Sequence, residues 1–147
     1  MRYLHGHCNQ TKEFKLIEVA LLTTALLFGG MVLYSFGFAA FVFNNLPVET
    51  AGPLIRKAFP HFYAFVLIIA TLIAIMVAFL GDYLSLSLLV VILISTIFAR
   101  QILIPAINQA TDSAKPMQFK VLHGVSVAIT LFHIVVAGYV IVRLSFA

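Results

Sequence analysis

Four long apolar runs occupy most of this 147-residue chain, and three polar breaks separate them. They cover residues 17–43, 61–80, 84–104 and 119–144. At a rise of 1.5 Å per residue, about 20 apolar residues in a helix match the ~30 Å hydrocarbon core of a bilayer. The runs predict an all-α fold, an integral membrane four-helix transmembrane bundle.

The composition agrees with that fold class. Apolar residues make up 63% of the chain and charged residues only 10%, against about 25% charged residues in soluble domains. Residues 1–16 are too polar for the apolar core of a signal peptide, so they are interpreted as a polar N-terminal tail. Residues 17–147 then form a single four-span domain, in which the first run is retained as span one.

The connection between spans one and two is more than a loop. Residues 48–59 mix Leu54, Ile55 and Phe59 with charged residues that include Arg56 and Lys57. This pattern predicts a short interfacial helix over residues 53–59, with its basic side at the lipid head groups. Pro60 is expected to end that helix and to open span two.

The next two connections have different characters. Gly81-Asp82-Tyr83 predicts a tight turn that makes spans two and three antiparallel neighbours. Pro105 is expected to break span three, which leaves residues 106–117 as a polar connection.

Small residues give span one a face for close packing. Gly29, Gly30 and Gly37 fall within the span, and Ala25 lies four residues before Gly29, on the same side of the helix. In lipid, small residues at this spacing let helices approach closely. These glycines are therefore candidate packing and interaction residues.

His133, near the middle of span four, is the sharpest candidate for chemistry. An ionisable group at mid-membrane depth is costly and usually faces the bundle interior or a cavity. It suggests a haem or metal ligand or a proton relay; the alternative is a neutral imidazole bonded to a serine or threonine of a neighbouring helix. Spans one and three contain no histidine, His61 lies at the start of span two, near the surface, and His123 is ten residues before His133, ~15 Å away along the same helix. A copper or haem site at His133 would therefore need a donor from a partner subunit.

Other candidate residues give weaker signals. His123 and Ser126 are three residues apart on one face of span four, where they form either an interaction site or a structural cap. His5, His7 and Cys8 form a compact cluster of donors suited to copper or zinc. The alternative is an ordinary polar tail, and with no confident ligand set the sequence predicts no resident cofactor.

Several function classes lack support in the sequence. No hydrolase, phosphate-loop, dinucleotide or metalloprotease motif occurs, so no enzymatic activity is predicted. The net charge of +4 is explained by basic residues beside the spans, which anchor head groups. No nucleic-acid partner is expected.

A set of short motifs resembles a known family. The motifs are Leu46-Pro47, Phe59-Pro60, Phe62-Tyr63, Pro105-x-Ile107-Asn108 and Phe119-x-x-Leu122-His123-Gly124-x-Ser126. Together they resemble the small four-span membrane proteins related to human transmembrane protein 205, whose bacterial members are catalogued as a domain of unknown function. Thr130 stands where family members often have asparagine. The resemblance implies the four-span fold and a bacterial inner membrane, and it implies no enzymatic activity.

The sequence favours a non-catalytic structural or accessory subunit associated with a larger membrane protein complex. Its expected partners are the lipid bilayer and other membrane subunits or further copies of itself. The alternatives are a metal- or haem-handling protein similar to the copper-resistance D proteins, or a small oligomeric transporter. Basic residues are slightly more frequent in the connections after spans one and three, which predicts cytoplasmic connections and periplasmic termini.

Overall fold

The fold is a bundle of four long helices. A computed structural model of the chain describes the backbone of residues 2–147 and the side chains of residues 12–147. Six α-helices and two π-helical segments follow one another: α1 Arg2–Val32, π-segment Leu33–Phe38, α2 Ala39–Asn45, α3 Val48–Phe79, α4 Tyr83–Phe98, π-segment Ala99–Leu103, α5 Ile104–Asp112 and α6 Pro116–Ser145. No strand occurs among residues 2–147.

These elements join into four spans long and apolar enough to cross a membrane. They are Lys12–Asn45, Val48–Phe79, Tyr83–Asp112 and Pro116–Ser145, and they are called spans one to four below. Span one packs against spans two and four, and span three packs against the same two spans. Spans one and three therefore lie diagonally across the bundle. The predicted all-α four-helix membrane bundle is confirmed.

The core lies between the four spans and consists mainly of aliphatic side chains. Its fully buried members include Leu27, Ile73, Leu89, Ile92 and Val140. Hydroxyl groups inside the spans bond to carbonyls of their own helices, as Thr24 does to Ala20 and Thr96 does to Ile92. This local bonding lets polar residues enter an apolar bundle without needing a partner from another helix.

The separate interfacial helix over residues 53–59 was wrongly predicted. These residues are helical, but they belong to α3, which runs through both Pro53 and Pro60. Proline removes one backbone hydrogen bond, and neighbouring helices allow a membrane helix to tolerate that loss. At ~1.5 Å per residue, the 32 residues of α3 span ~48 Å, so the helix extends ~18 Å beyond a ~30 Å hydrocarbon core.

Pro105 does not end span three either. The π-segment Ala99–Leu103 precedes it, and the Ile104 N–H donates to the carbonyl of Ala99, five residues back. Local π-helical adjustment is one way in which a membrane helix accommodates proline. Residues 106–112, predicted as part of a polar connection, instead continue the helix as α5.

Pro47 is the proline that does mark a break. Leu46, just before it, is extended, with φ −122° and ψ 146°. A residue that precedes proline is sterically pushed out of the helical region. Spans one and two are therefore joined by a connection of only two residues, Leu46 and Pro47.

Candidate functional site

Each end of the bundle carries one arginine–aspartate ion pair. At the end formed by the Gly81 turn, here called the Asp82 end, Arg143 Nε donates to both carboxylate oxygens of Asp82 at 3.0 and 2.9 Å. Asp82 also caps α4 by accepting from the Ser85 N–H at 3.3 Å. This one carboxylate links the start of span three to the end of span four.

These contacts lower the pKa of the Asp82 carboxyl group. Burial alone raises its pKa, but hydrogen bonds from Arg143 and Ser85 outweigh burial, and the pKa lies below the ordinary value. The carboxyl group is therefore held as a carboxylate at neutral pH. This state is what a structural clamp requires.

The ion pair at the opposite end, here called the Asp112 end, is more exposed to solvent. Arg56 Nη1 donates to Asp112 at 3.0 Å, and this pair joins span two to span three. The Arg56 and Asp112 side chains are 39% and 63% exposed, whereas Asp82 is 16% exposed. Solvent screens such an exposed pair and reduces its stabilising effect.

His133 lies inside the bundle, 4% exposed, and contacts span three. Its Nε2 atom is 2.7 Å from Ser95 Oγ, and Ser95 Oγ is 2.6 Å from the Val91 carbonyl oxygen. The geometry matches the interpretation in which the imidazole bonds to a serine of a neighbouring helix. In either tautomer Nε2 is engaged, so an iron or copper ion at Nε2 would first have to displace the Ser95 hydroxyl.

His123 and Ser126 have separate environments despite their spacing. His123 is exposed and stacks on Phe119, with ring centroids 5.4 Å apart. Ser126 is buried and lies near the Tyr63 side chain of span two. The structure therefore places His123 on the surface and Ser126 in the interior of the bundle.

Aromatic rings of spans one and two pack together beside Tyr63. Tyr34 stacks on Phe62 with a centroid distance of 4.2 Å, and Phe62 packs against Tyr63 at 5.5 Å. The Tyr34 hydroxyl is buried and makes no hydrogen bond with the described residues. Tyr34 was not singled out from the sequence. The only signal would have been its position on the inward side of span one, one turn after Gly30.

The three glycines of span one occupy different surroundings. A Cβ atom at Gly30 would lie 2.5 Å from Phe65 Cζ, so the missing side chain lets that ring lie against span one. A Cβ at Gly37 would lie 3.0 Å from Leu33 in the same helix. A Cβ at Gly29 would meet nothing within 4 Å. Gly30 therefore serves packing inside the chain, whereas Gly29 faces outward.

The outward side of span one is smooth in its middle. Ala25 and Gly29 are both exposed there. The larger side chains on this side, Leu22, Leu26, Leu33 and Phe36, are between 55% and 70% exposed. We call the surface formed by these six residues the outer face of span one. Its centre, at Ala25 and Gly29, is a shallow depression bordered by large apolar side chains, and it is called the step below.

The candidate metal ligands among residues 12–147 are not brought together. Across residues 12–147, no group of three or more histidine, cysteine, aspartate or glutamate side chains could hold a metal ion. His133 and His123 are ten residues apart in α6, which corresponds to ~15 Å along a helix. The side chains of His5, His7 and Cys8 lie outside the described residues.

The fold and these contacts define the class of protein: an all-α, four-helix membrane bundle whose interior polar groups mostly bond within the chain. The chain belongs to the family described as "Domain of unknown function (DUF4149)", which matches residues 22–116. The match includes spans two and three, most of span one and the Asp112 end. Comparison with curated proteins and with solved structures finds no match.

Proposed function

We propose that this protein is a non-catalytic accessory subunit that docks onto another membrane protein through the outer face of span one. The observation that supports the proposal is the open position of Gly29. Glycine inside a helix costs ~1 kcal/mol relative to alanine, and no close neighbour in its own chain requires a glycine at position 29, because a Cβ there would meet nothing within 4 Å. Its neighbour Gly30, by contrast, is used to seat Phe65.

Lipid by itself gives no reason for a smooth step at Gly29. Acyl chains conform to any apolar surface, whereas a second helix approaches closely only where side chains are small. Ala25 and Gly29 are four residues apart and both exposed, which is the arrangement that close helix approach requires. Span one is also the least covered span: 22% of its most apolar 18 residues are buried, against 39% for span two.

The experiment compares two substitutions of exposed small residues by leucine. We expect the wild-type chain, purified in mild detergent from its native membrane, to run larger than its 16.2 kDa monomer with a partner in fixed ratio. Gly29→Leu should run as a monomer, because the new side chain fills the step. Ser87→Leu, at an exposed position of span three with no small residue four positions away, should keep the larger species.

Folding and docking are separated by the melting temperature. Leucine has a higher helix propensity than glycine, and space is open at Gly29. Gly29→Leu should therefore melt no lower than the wild type. A wild-type chain that runs as a monomer, or a Gly29→Leu chain that keeps the partner, contradicts the proposal.

We further propose that the protein resides in a bacterial inner membrane, as the resemblance of its short motifs to relatives of human transmembrane protein 205 implies. The Asp112 end, which carries Arg56, Lys57, Lys115 and Lys120, then faces the cytoplasm. Labelling of a Ser113→Cys variant with an impermeant thiol reagent tests this orientation. Modification from outside the cell while Cys8 stays protected would reverse it.

The same purified sample tests the alternatives. A metal- or haem-handling protein would carry bound copper or show haem absorbance. An oligomeric transporter would contain further copies of this chain in place of a different subunit. The accessory-subunit proposal expects a colourless sample with a second, different polypeptide.

A further inference from the structure

An apolar groove opens between spans one and two towards the Asp112 end. Its volume is about 420 Å³, and its walls carry four aromatic rings. The residues that form it are Gly30, Leu33, Tyr34, Phe38, Ala58, His61, Phe62 and Phe65. The rings of Tyr34 and Phe62 stack on one another, so the walls are held in place by ring packing.

The groove crosses the expected boundary of the hydrocarbon core. His61 lies 18 residues before Phe79, the last residue of α3. This separation corresponds to ~27 Å along the helix, close to the ~30 Å core thickness. His61 therefore lies at head-group depth, whereas Phe65, one turn further along span two, lies within the acyl region.

The rim of the groove offers groups that bind an anion. His61 lines the groove. Lys57 lies just outside the lining and precedes His61 by four residues, a spacing that places the two side chains on one helix face. Both residues are exposed. In the described part of the chain Arg56 is paired with Asp112, and neither ion pair there involves Lys57. One ammonium group and one imidazole N–H are thus placed side by side above an apolar groove.

We propose that this groove binds one anionic phospholipid. Its phosphate contacts Lys57 and His61, and one acyl chain lies along the rings of Tyr34, Phe62 and Phe65. The basic rim at head-group depth, continuous with an apolar body below, is complementary to an amphiphile with a negative head. A partner helix would fill the apolar body but would leave the two rim donors without an anionic partner. The groove shares Leu33 with the outer face of span one, but its test changes none of the outer-face residues and is therefore independent of the docking proposal.

The test counts bound lipids by native mass spectrometry after mild detergent extraction from nanodiscs. With phosphatidylglycerol, the wild type should retain one lipid, and with phosphatidylcholine alone it should retain far less. Lys57→Gln should reduce retention of phosphatidylglycerol roughly fivefold, the effect of losing one exposed ion pair. His61→Leu, which removes the imidazole N–H donor, should also reduce retention. Ala58→Phe, which fills the groove and leaves both rim residues, should also reduce retention.

Lys120→Gln is the matched control, because Lys120 is an exposed lysine at the start of span four, whereas the groove lies between spans one and two. It should leave retention unchanged, and all variants should keep the wild-type melting temperature. Equal retention of phosphatidylcholine, an equal loss in Lys120→Gln, or no loss in Ala58→Phe would overturn the proposal. In a Cys8→Ser background, cross-linking of Ala58→Cys to a protein in native membranes would overturn it as well.

Discussion

The two ends of the bundle use the same pair of residue types and reach different results. At the Asp82 end, the carboxylate accepts two hydrogen bonds from Arg143, caps α4 and is 16% exposed. At the Asp112 end, Arg56 Nη1 also donates to both carboxylate oxygens, at 3.0 and 3.3 Å, but this carboxylate is 63% exposed. The Asp82 end is therefore a clamp, whereas the Asp112 end is held more loosely.

The turns at the two ends also differ, because each contains one residue with a positive φ angle and only one of the two residues is glycine. Gly81 has φ +73° at the Asp82 end, and Ala114 has φ +50° at the Asp112 end. Glycine adopts the left-handed region freely, whereas alanine does so at a cost. The backbone of the turn at the Asp82 end is thus relaxed, whereas the turn at the Asp112 end is strained at Ala114. The lipid groove lies beside the Asp112 end, where α3 extends beyond the hydrocarbon core.

The largest effect is expected from removing the Asp82 carboxylate. Asp82→Ala loses both the Arg143 pair and the cap of α4, and loss of the cap alone costs ~1 kcal/mol. Asp82→Asn keeps a capping side chain and loses only the charge, so it should destabilise less. Thermal unfolding in detergent measures both variants. Equal melting temperatures for Asp82→Ala and the wild type would show that the clamp does not stabilise the bundle.

The same carboxylate predicts a dependence of stability on pH. Its pKa lies below the ordinary value of 3.8 because hydrogen bonds from Arg143 and Ser85 outweigh burial. Its contribution to stability is therefore complete well above pH 3.8 and is lost as the pH falls through the lower folded pKa. Asp82→Asn should melt with a shallower fall than the wild type over this acidic range. Parallel curves for the two proteins would contradict the assignment.

Substitutions in the two turns should have opposite signs. Gly81→Ala should destabilise by ~1–2 kcal/mol, because it forces a Cβ into the left-handed region. Ala114→Gly should stabilise, by up to about 1 kcal/mol, because it relieves the same strain. Melting temperatures of the two variants test the comparison directly. A loss of stability in Ala114→Gly would mean that the turn at the Asp112 end is not strained.

The smallest effect is expected at the exposed ion pair. Asp112→Asn should destabilise by less than about 1 kcal/mol, as exposed pairs usually do. Added salt should reduce the difference from the wild type. A loss as large as that of Asp82→Ala would remove the distinction between the two ends.

The four spans could be predicted because each is long enough to identify by apolar length alone. The tight turn at Gly81 was also predictable, since glycine and aspartate are typical turn and cap residues. The continuity of α3 through Pro60 was missed because proline was taken as a helix end. A helical signal did cross it: Ile55, Phe59, Phe62 and Val66 follow i, i+4, i+7, i+11 spacing on the inward side.

The partners of the polar residues could be predicted only in kind. The sequence pointed to a serine or threonine beside His133, but the choice of Ser95 depends on how spans three and four are rotated. Arg56 and Asp112 are separated by 56 positions in the sequence, and Asp82 and Arg143 by 61 positions. No local sequence pattern extends that far. Whether Gly29 or Gly30 faces outward likewise depends on the orientation of span one, because adjacent helical residues differ by about 100°.

Cysteine cross-linking in native membranes tests the docking role of span one most directly. In a Cys8→Ser background, Leu26→Cys places a thiol on the outer face of span one, and Ile94→Cys places one on span three, diagonally across the bundle. Both parent positions are more than half exposed, at 55% and 63%. We expect Leu26→Cys to form one cross-linked species of defined mass, Ile94→Cys to form none, and added Gly29→Leu to abolish the species. Equal cross-linking at both positions, or a species that persists with Gly29→Leu, would contradict the account.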